Sequence, residues 1–223
     1  MAKIYLVRHG QASFGAADYD QLSPLGAQQC ELLGQHWRAL GLRFDAVWMG
    51  SLKRHRQSME AIAAGLGGLP TAQVRPGLNE YDPEALVRAA HPGPLPQGTS
   101  PEVQRQHFLH LRRGLLGWIK AELAPVGLPS HAEFLAGVMA VLDEARQDQT
   151  AEHILVLSSG GPISNAVGQL LQAGPEGVVE LNLRLRNSAV SELHSTARRH
   201  ALLSFNGLPH LDQPGRQNLQ TYA

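Results

Sequence analysis

Leu6-Val7-Arg8-His9-Gly10-Gln11, close to the N-terminus, is the stretch of sequence that decides the fold. It overlaps the short apolar run Ile4–Val7, which has the length and residue types of a buried strand. A strand that leaves the core there delivers an arginine, a histidine and a glycine at its carboxyl end, where ligands bind in open α/β sheets. Arginine suits phosphate oxygens, neutral histidine can attack phosphorus, and glycine lets the backbone approach a ligand. A surface Arg-His pair is the alternative.

A second strand end carries another arginine. Phe44–Met49 predicts a strand, and Ser51-Leu52-Lys53-Arg54-His55-Arg56-Gln57-Ser58 opens a helix that runs to about Leu66. Ser51 is a plausible N-cap, and Arg54 lies in the first turn, where a cation is unfavourable without an anion beside it. The alternative is a solvated basic helix face, to which Lys53, His55 and Arg56 would belong.

A third strand end is rich in glycine. Ile154–Leu157 predicts a strand, and Ser158-Ser159-Gly160-Gly161-Pro162 opens a helix through about Leu171. Free N–H groups at a helix N-terminus bind anions, although a tight strand-to-helix turn would use the same glycines. Three such ends at one edge of a parallel sheet predict a pocket for a small dianion.

The rest of the chain also alternates between strand and helix patterns. Ser23-Pro24 caps a helix that ends at Gly41, and three later runs alternate enough to be strands. These runs are Val178–Leu185, Ser188–His194 and Arg199–Phe205, and we expect the tail after Asn206 to be partly loose.

The middle of the chain predicts a helical insertion at about 83–129, over one end of the sheet. His91–Pro101 is rich in proline and is a predicted loop, and helices are predicted over Glu102–Leu123 and His131–Arg146. The fold class is therefore α/β. We predict one domain over residues 1–223, a three-layer α/β/α sandwich with a mostly parallel sheet and this insertion over its C-terminal edge.

The composition argues against several classes of partner. The 223 residues are 43% hydrophobic and 17% charged, with a formal net charge of +0, which argues against a nucleic-acid partner. The single cysteine, Cys30, reads as a buried small hydrophobe and permits no internal disulfide. No stretch approaches the ~20 apolar residues of a membrane span, so we expect no membrane partner and a cytoplasmic location.

Taken in order, these motifs resemble those of the histidine phosphatase superfamily, in its phosphoglycerate-mutase-like family. Leu-Val-Arg-His-Gly resembles the first motif, Ser51–Ser58 the second, and Leu78-Asn79-Glu80 the segment that supplies an acid. Ile154–Ile163 resembles the strand and turn that usually carry a second histidine. Two later segments resemble the family's closing strands: Asn187-Ser188-Ala189-Val190, and Phe205-Asn206 with His210-Leu211. The resemblance covers nearly the whole chain and is weakest from Pro83 to Pro129.

The resemblance implies phosphoryl transfer in two steps. His9 would form a phosphohistidine, Arg8 and Arg54 would bind the phosphoryl oxygens, and Glu80 would protonate the leaving oxygen and then activate water. It implies no metal and no cofactor. Ser159, Gly160, Gln11 and Ser13 complete the phosphate-binding residues that we predict.

The sequence departs from the family at two places. The family usually has histidine at the position that we align with Ser159, and loss of one such donor costs about 10²–10³ in rate in other enzymes. His131 or His210 could move in, although each is more simply explained as a surface or structural residue. The run Gln11–Gly15 lacks the Thr and Asn of glycolytic mutases, which favours hydrolysis over isomerisation.

Several alternatives stay open. Asp82, Glu84 and Glu133 compete with Glu80 as the acid. A phosphomonoesterase of small metabolites leads over a catalytically weak phosphate-binding protein and over a mutase. The partner is then a phosphorylated small molecule or inorganic phosphate. Tyr81 or Trp118 could stack on a base, and a homodimer could form through an edge strand or the helix near Ser23.

Overall fold

We describe the protein from a computed structural model. It describes residues 2–13, 20–94, 98, 100–148 and 150–222, apart from the side chains of Pro101 and Gln104. The described residues form one six-stranded sheet with helices on both faces.

The sheet is mostly parallel, as predicted. Its strand order is β3-β2-β4-β1-β5-β6, in which β1 to β4 run parallel and β5 and β6 add an antiparallel edge. The strands are β1 (Ala2–Arg8), β2 (Ala46–Met49), β3 (Gln73–Val74), β4 (His153–Ser158), β5 (Val190–Ser195) and β6 (His200–Gly207). The predicted strands near Ser188–His194 and Arg199–Phe205 therefore exist and pair with each other.

Seven α-helices lie within the described residues. They are α1 (Pro24–Ala39), α2 (Lys53–Leu66), α3 (Pro83–Ala90), α4 (Pro101–Ile119), α5 (His131–Gln147), α6 (Gly160–Leu171) and α7 (Pro175–Arg184). Short 3₁₀ turns occur at Pro76–Leu78 and Gln217–Leu219. None of these helices combines the length and the apolar character that crossing a bilayer requires.

Alternation along the strands builds a core on each face of the sheet. Along β1, Ile4 and Leu6 point into the core shared with α5 and α6, whereas Tyr5 and Val7 point into the core shared with α1 and α2. A strand buried on both faces is apolar throughout, which is why this stretch has no polar alternation. The three-layer arrangement follows directly.

A third, smaller cluster holds the insertion over the carboxyl edge of the sheet. Tyr81, Leu86, Leu115, Trp118 and Val179 pack together where α3 and α4 meet α7. The rings of Tyr81 and Trp118 are buried here in an edge-to-face contact, with centroids 5.5 Å apart. Both rings therefore help to hold the insertion together, and the idea that either could stack on a base stays a prediction.

One predicted strand is a helix. Val178–Leu185 belongs almost entirely to α7, which begins at Pro175 after Gly174. Proline at the first helical position and glutamate in the first turn are helix-start features, and they outweigh the apparent alternation. The apolar residues of this run pack on α6 and α4 at helical spacing.

The tail after Asn206 is packed rather than loose. Leu208, His210 and Leu211 are completely buried. The side-chain amide of Gln29 donates to the Leu219 carbonyl at 2.7 Å, and the Asn187 amide donates to the Thr221 carbonyl at 3.0 Å. The prediction of a loose tail is therefore wrong. It relied on the Pro/Gly content of the tail, whereas the buried apolar residues Leu208 and Leu211 anchor the tail to the core.

The crossing of α1 and α2 generates a test of packing. A Cβ at Gly34 would lie 2.2 Å from the Ile62 carbonyl oxygen, which is far inside contact distance. We expect Gly34→Ala to lower the free energy of unfolding by about 1–3 kcal/mol, as overpacking does, measured by urea denaturation.

The matched control is Gly137→Ala, also inside a helix. A Cβ there would meet nothing within 4 Å, so alanine should raise stability through its helix propensity by up to about 1 kcal/mol. Equal effects at the two glycines would contradict the close helix crossing.

Candidate active site

The ends of β1 and β4 lie side by side. Arg8 is in register with Ser158, and the His9 amide donates to the Ser158 carbonyl at 2.9 Å. The His9 carbonyl in turn accepts from the Ser188 amide at 3.2 Å. Arg8 and His9 are both buried. The strand pairing therefore fixes the backbone of the first motif on two sides.

His9 is held as one neutral tautomer. Its Nδ1 lies 2.7 Å from the Gly10 carbonyl oxygen. Because a carbonyl only accepts, Nδ1 carries the hydrogen and Nε2 is left with a free lone pair. Burial lowers the pKa of His9 well below its ordinary value, and the charges of Arg8 and Arg54 lower it further. A neutral ring with a bare Nε2 is the form that can act as a nucleophile.

Two arginines flank this ring. Arg8 donates to the Leu185 carbonyl. Arg54 lies in the first turn of α2 and pairs with Asp20, with 2.8 Å between Nη1 and Oδ1. Asp20 Oδ2 also accepts from the Lys53 amide at 2.8 Å, so this carboxylate caps α2. Asp20 is the anion that Arg54 requires, and sequence reasoning missed it.

The predicted N-cap role of Ser51 is wrong, because the cap position of α2 is Leu52. Ser51 instead joins β2 to the acid segment. Its amide donates to Asn79 Oδ1 at 2.7 Å, and Asn79 Nδ2 donates to the Ser51 hydroxyl at 2.8 Å. The next residue, Glu80, is thereby directed towards the strand ends.

Glu80 contacts the N-terminus of α6. Its two oxygens accept from the Gly161 amide at 3.0 and 3.2 Å. Burial raises the pKa of Glu80 and outweighs the opposing effects of this amide and of Arg54 and Arg8. A carboxyl group with a raised pKa can hold a proton to donate. Glycine is required at 161, since a Cβ there would lie 2.1 Å from Glu80 Oε1.

The competing carboxylates have other partners. Asp82 caps α3 by accepting from the Glu84 amide at 2.8 Å, and Glu84 pairs with Arg88. Glu133 forms the capping box of α5 with Ser130. These contacts leave Glu80 as the carboxyl group that faces the strand ends.

Gly160 lies close to both Arg8 and Glu80. The space that its Cβ would occupy lies 3.8 Å from Arg8 Cζ and 3.8 Å from Glu80 Oε2, and 2.8 Å from Asn182 Oδ1. The guanidinium, the carboxyl group and the N-terminus of α6 therefore border one small space. A helix N-terminus beside arginines favours an anion there.

His55 is the histidine that the sequence analysis misjudged. It has 0% exposure, so it is not part of a solvated helix face, and its Nε2 lies 2.8 Å from the Ser159 hydroxyl. Its ring centroid is 5.9 Å from that of His9. Helical spacing could have indicated this burial, because His55, Ser58 and Ile62 share the inward face of α2.

The two histidines considered as substitutes lie elsewhere. His131 Nε2 is 2.6 Å from Asn165 Oδ1. His210 Nε2 is 2.9 Å from the Ser188 hydroxyl, and burial lowers the pKa of His210 to about 3. Neither contacts Ser159 in the described structure. The structure thus brings His55, rather than either of them, to this position.

Gln11 and Ser13 connect the loop after β1 to the start of α1. The Ser23 hydroxyl donates to Gln11 Oε1 at 2.8 Å, and the Ser13 hydroxyl donates to the Leu22 carbonyl at 3.0 Å. Their predicted contact with phosphate stays a prediction. Phe14 and Gly15, part of the run that argued against a mutase, lie outside the described residues.

Comparison with known proteins gives a family and a fold. A family model described as "Histidine phosphatase superfamily (branch 1)" matches residues 4–207. The serine/threonine-protein phosphatase PGAM5, mitochondrial, of Xenopus laevis is 28% identical over 122 residues. That match covers 48% of this chain and 41% of the relative, so this chain matches less than half the length of that protein.

Solved structures agree on the fold. A phosphoserine phosphatase from Entamoeba histolytica, in complex with 3-phosphoglyceric acid, superposes with a TM-score of 0.64 at 22% identity, covering 95% of this chain and 100% of that one. A phosphoglycerate mutase from Bacillus anthracis gives a TM-score of 0.65 at 16% identity, covering 94% of each chain. At these identities the likeness shows the fold alone.

The raised pKa of Glu80 predicts a pH-dependent stability. Between its unfolded pKa of about 4.3 and its higher folded pKa, the folded state binds more protons, so this group's contribution to stability falls as pH rises. We therefore expect Glu80→Gln to gain stability relative to the wild type between pH 4 and pH 7, measured by urea denaturation.

Glu84→Gln, at an exposed position in the first turn of α3, serves as the control. A stability difference between wild type and Glu80→Gln that stays constant over this pH range, or that runs in the opposite direction, would contradict the assignment.

Proposed function

This chain belongs to branch 1 of the histidine phosphatase superfamily, and from this membership and the site we propose that it hydrolyses phosphomonoesters of small metabolites through a phosphohistidine on His9. The observation that carries the proposal is the state of His9. Its ring is neutral, its Nε2 is bare, and two arginine charges act on it. A nucleophile and a cationic cradle for the attacked phosphoryl group are thus in one place.

The first step transfers the phosphoryl group to the enzyme. His9 Nε2 attacks phosphorus, the N–P bond forms, and the bond from phosphorus to the ester oxygen breaks. Glu80 gives its proton to the departing oxygen, which leaves as an alcohol. Arg8 and Arg54 would hold the phosphoryl oxygens, whose charge must be stabilised in the transition state. We expect no metal requirement, because these arginines supply the positive charge.

The second step returns the enzyme to its starting state. The carboxylate of Glu80 takes a proton from water as the water oxygen attacks phosphorus, and the N–P bond breaks to release phosphate. Glu80 is then protonated again and His9 is neutral. A carboxyl group with a raised pKa suits both roles, because it gives up its proton in one step and regains it in the next.

The leaving group would lie on the Glu80 side of the site. A cavity of about 270 Å³ opens there between the acid segment and α5, and its wall includes Glu80, Asp82, Leu128 and Phe134. This volume is at the small end for ligand pockets, which supports a small metabolite as substrate. The phosphoserine and phosphoglycerate specificities named for the structural neighbours fit the same size class.

A catalytically weak phosphate-binding protein is the second candidate. The observation that favours it is Ser159, an uncharged residue at the position that we align with a histidine of the family. Hydrolysis is preferred to mutase activity because the loop that begins at Gln11 lacks the Thr and Asn of glycolytic mutases.

The test is hydrolysis of an aryl phosphate without added metal. We expect the wild type to turn over and His9→Ala to lose more than about 10³-fold in kcat, since removing a nucleophile abolishes the covalent route. His194→Ala is the control and should keep wild-type activity, because His194 pairs with Lys3 at the opposite end of β1 from His9.

Full activity in His9→Ala would contradict the proposed nucleophile. Vanadate binding without turnover in the wild type would instead favour the weak phosphate-binding protein.

A further inference from the structure

The site contains a buried His–Ser pair that the proposed chemistry does not yet use. His55 and Ser159 each have 0% exposure, and 2.8 Å separates Nε2 from the hydroxyl oxygen. They come from different elements, the first turn of α2 and the cap of α6, so tertiary packing creates the pair. The helix α2 contains Arg54, and α6 begins after β4, beside the end of β1 that carries Arg8.

The Ser159 side chain contacts His55 rather than capping its own helix. Ser159 occupies the N-cap position of α6, where a serine normally accepts hydrogen bonds from its own helix. Here no capping bond to its side chain is present within the described helix, and the Gly161 amide donates to Glu80 instead. The Ser159 hydroxyl is thus directed towards His55.

The backbone leaves room for the imidazole ring. A Cβ at Gly50 would lie 2.3 Å from His55 Nδ1, so any larger residue would displace the ring. The ring is neutral, because burial and the charge of Arg54 lower the pKa of His55 to about 3. One nitrogen of a neutral imidazole donates and the other accepts, so the 2.8 Å contact allows two directions. Either Nε2–H donates to the serine oxygen, or the serine hydroxyl donates to Nε2.

We propose that His55 and Ser159 act as one hydrogen-bonding unit that donates to the phosphoryl group on His9. His55 Nε2–H donates to the Ser159 oxygen and frees the serine hydrogen to point at a phosphoryl oxygen. No proton is transferred between His55 and Ser159 in this arrangement. Ser159 is then a catalytic residue and His55 a positioning residue, which acts by orienting the hydroxyl. The inference rests on the proposed function and adds a donor to its phosphate site.

The pair lies close to the proposed nucleophile and phosphate site. The His55 and His9 ring centroids are 5.9 Å apart, and Gly160, next to Ser159, borders the space shared by Arg8 and Glu80. A hydroxyl at the N-terminus of a helix adds to the amides that already attract an anion there. The dry surroundings strengthen such a hydrogen bond relative to one in water.

A double-mutant cycle tests the unit. His55→Leu fills the ring volume without a polar atom, Ser159→Ala removes the hydroxyl, and the double variant removes both. We expect each single variant to lower kcat for an aryl phosphate by about 10²-fold, and the double variant to lose little more than one of them. His55→Gln, which keeps an amide donor, should retain more activity than His55→Leu.

The control is a second His–Ser pair, which is partly buried and lies outside the site. His200 Nδ1 lies 2.5 Å from the Ser195 hydroxyl, at the far end of the β5–β6 pair. We expect His200→Leu to lower the melting temperature and to leave kcat unchanged. A merely structural role of His55 would give the same pattern, so this comparison separates the two roles.

The outcomes separate this inference from the proposed function. If the wild type turns over and His9→Ala does not, but kcat stays within about threefold in His55→Leu and Ser159→Ala, the inference fails and the phosphatase stands. Losses that multiply in the double variant also overturn the unit, since independent groups add in free energy. If the wild type shows no turnover, vanadate affinity replaces kcat in the same cycle. Equal and non-additive weakening then supports the unit, and unchanged affinity overturns it.

Discussion

The pairing of β1 with β4 is the constraint on which the site depends. These parallel strands are in register from Lys3 with His153 to Arg8 with Ser158, and the His9 amide extends the ladder by one bond. Both strands are buried on both faces, so a slip of one residue would exchange the two cores and is strongly opposed. His9 therefore follows β1 directly beside the turn that opens α6. The register of β1 and β4 therefore places Arg8 and His9 beside the N-terminus of α6.

Burial and neighbouring charges set the ionisation state of the side chains at this edge. His9 and His55 stay neutral, because burial and the neighbouring arginines lower the pKa of each ring. Burial raises the pKa of Glu80, although the same arginines oppose that shift. Arg54 shares the carboxylate of Asp20, which also caps α2. The charges of Arg8 and Arg54 would attract a phosphate dianion to this edge, which is the basis of the proposed phosphoryl site.

The sequence predicted those features of the fold that depend on residues close together in the chain. The strand near Ile4, the cap at Ser23, the glycine turn after β4 and the mostly parallel sheet all follow from spacing and composition, and each is present. The misassignment of α7 came from apparent alternation that the proline at its start overrides. The packed tail depends on Gln29, which is distant in sequence. The contacts between His55 and Ser159 and between Asp20 and Arg54 join segments 104 and 34 residues apart, so no window of sequence contains either of them.

Direct detection of the covalent intermediate tests the central claim most directly. The enzyme would be mixed with an excess of phosphomonoester, quenched in alkali and digested, and its peptides mapped by mass spectrometry. Phosphohistidine survives base and is lost in acid, which separates it from phosphoserine. The account predicts a base-stable phosphoryl group on His9, which would be absent from His9→Ala. A phosphoryl group on another residue, or turnover with no phosphorylated peptide during the steady state, would contradict it.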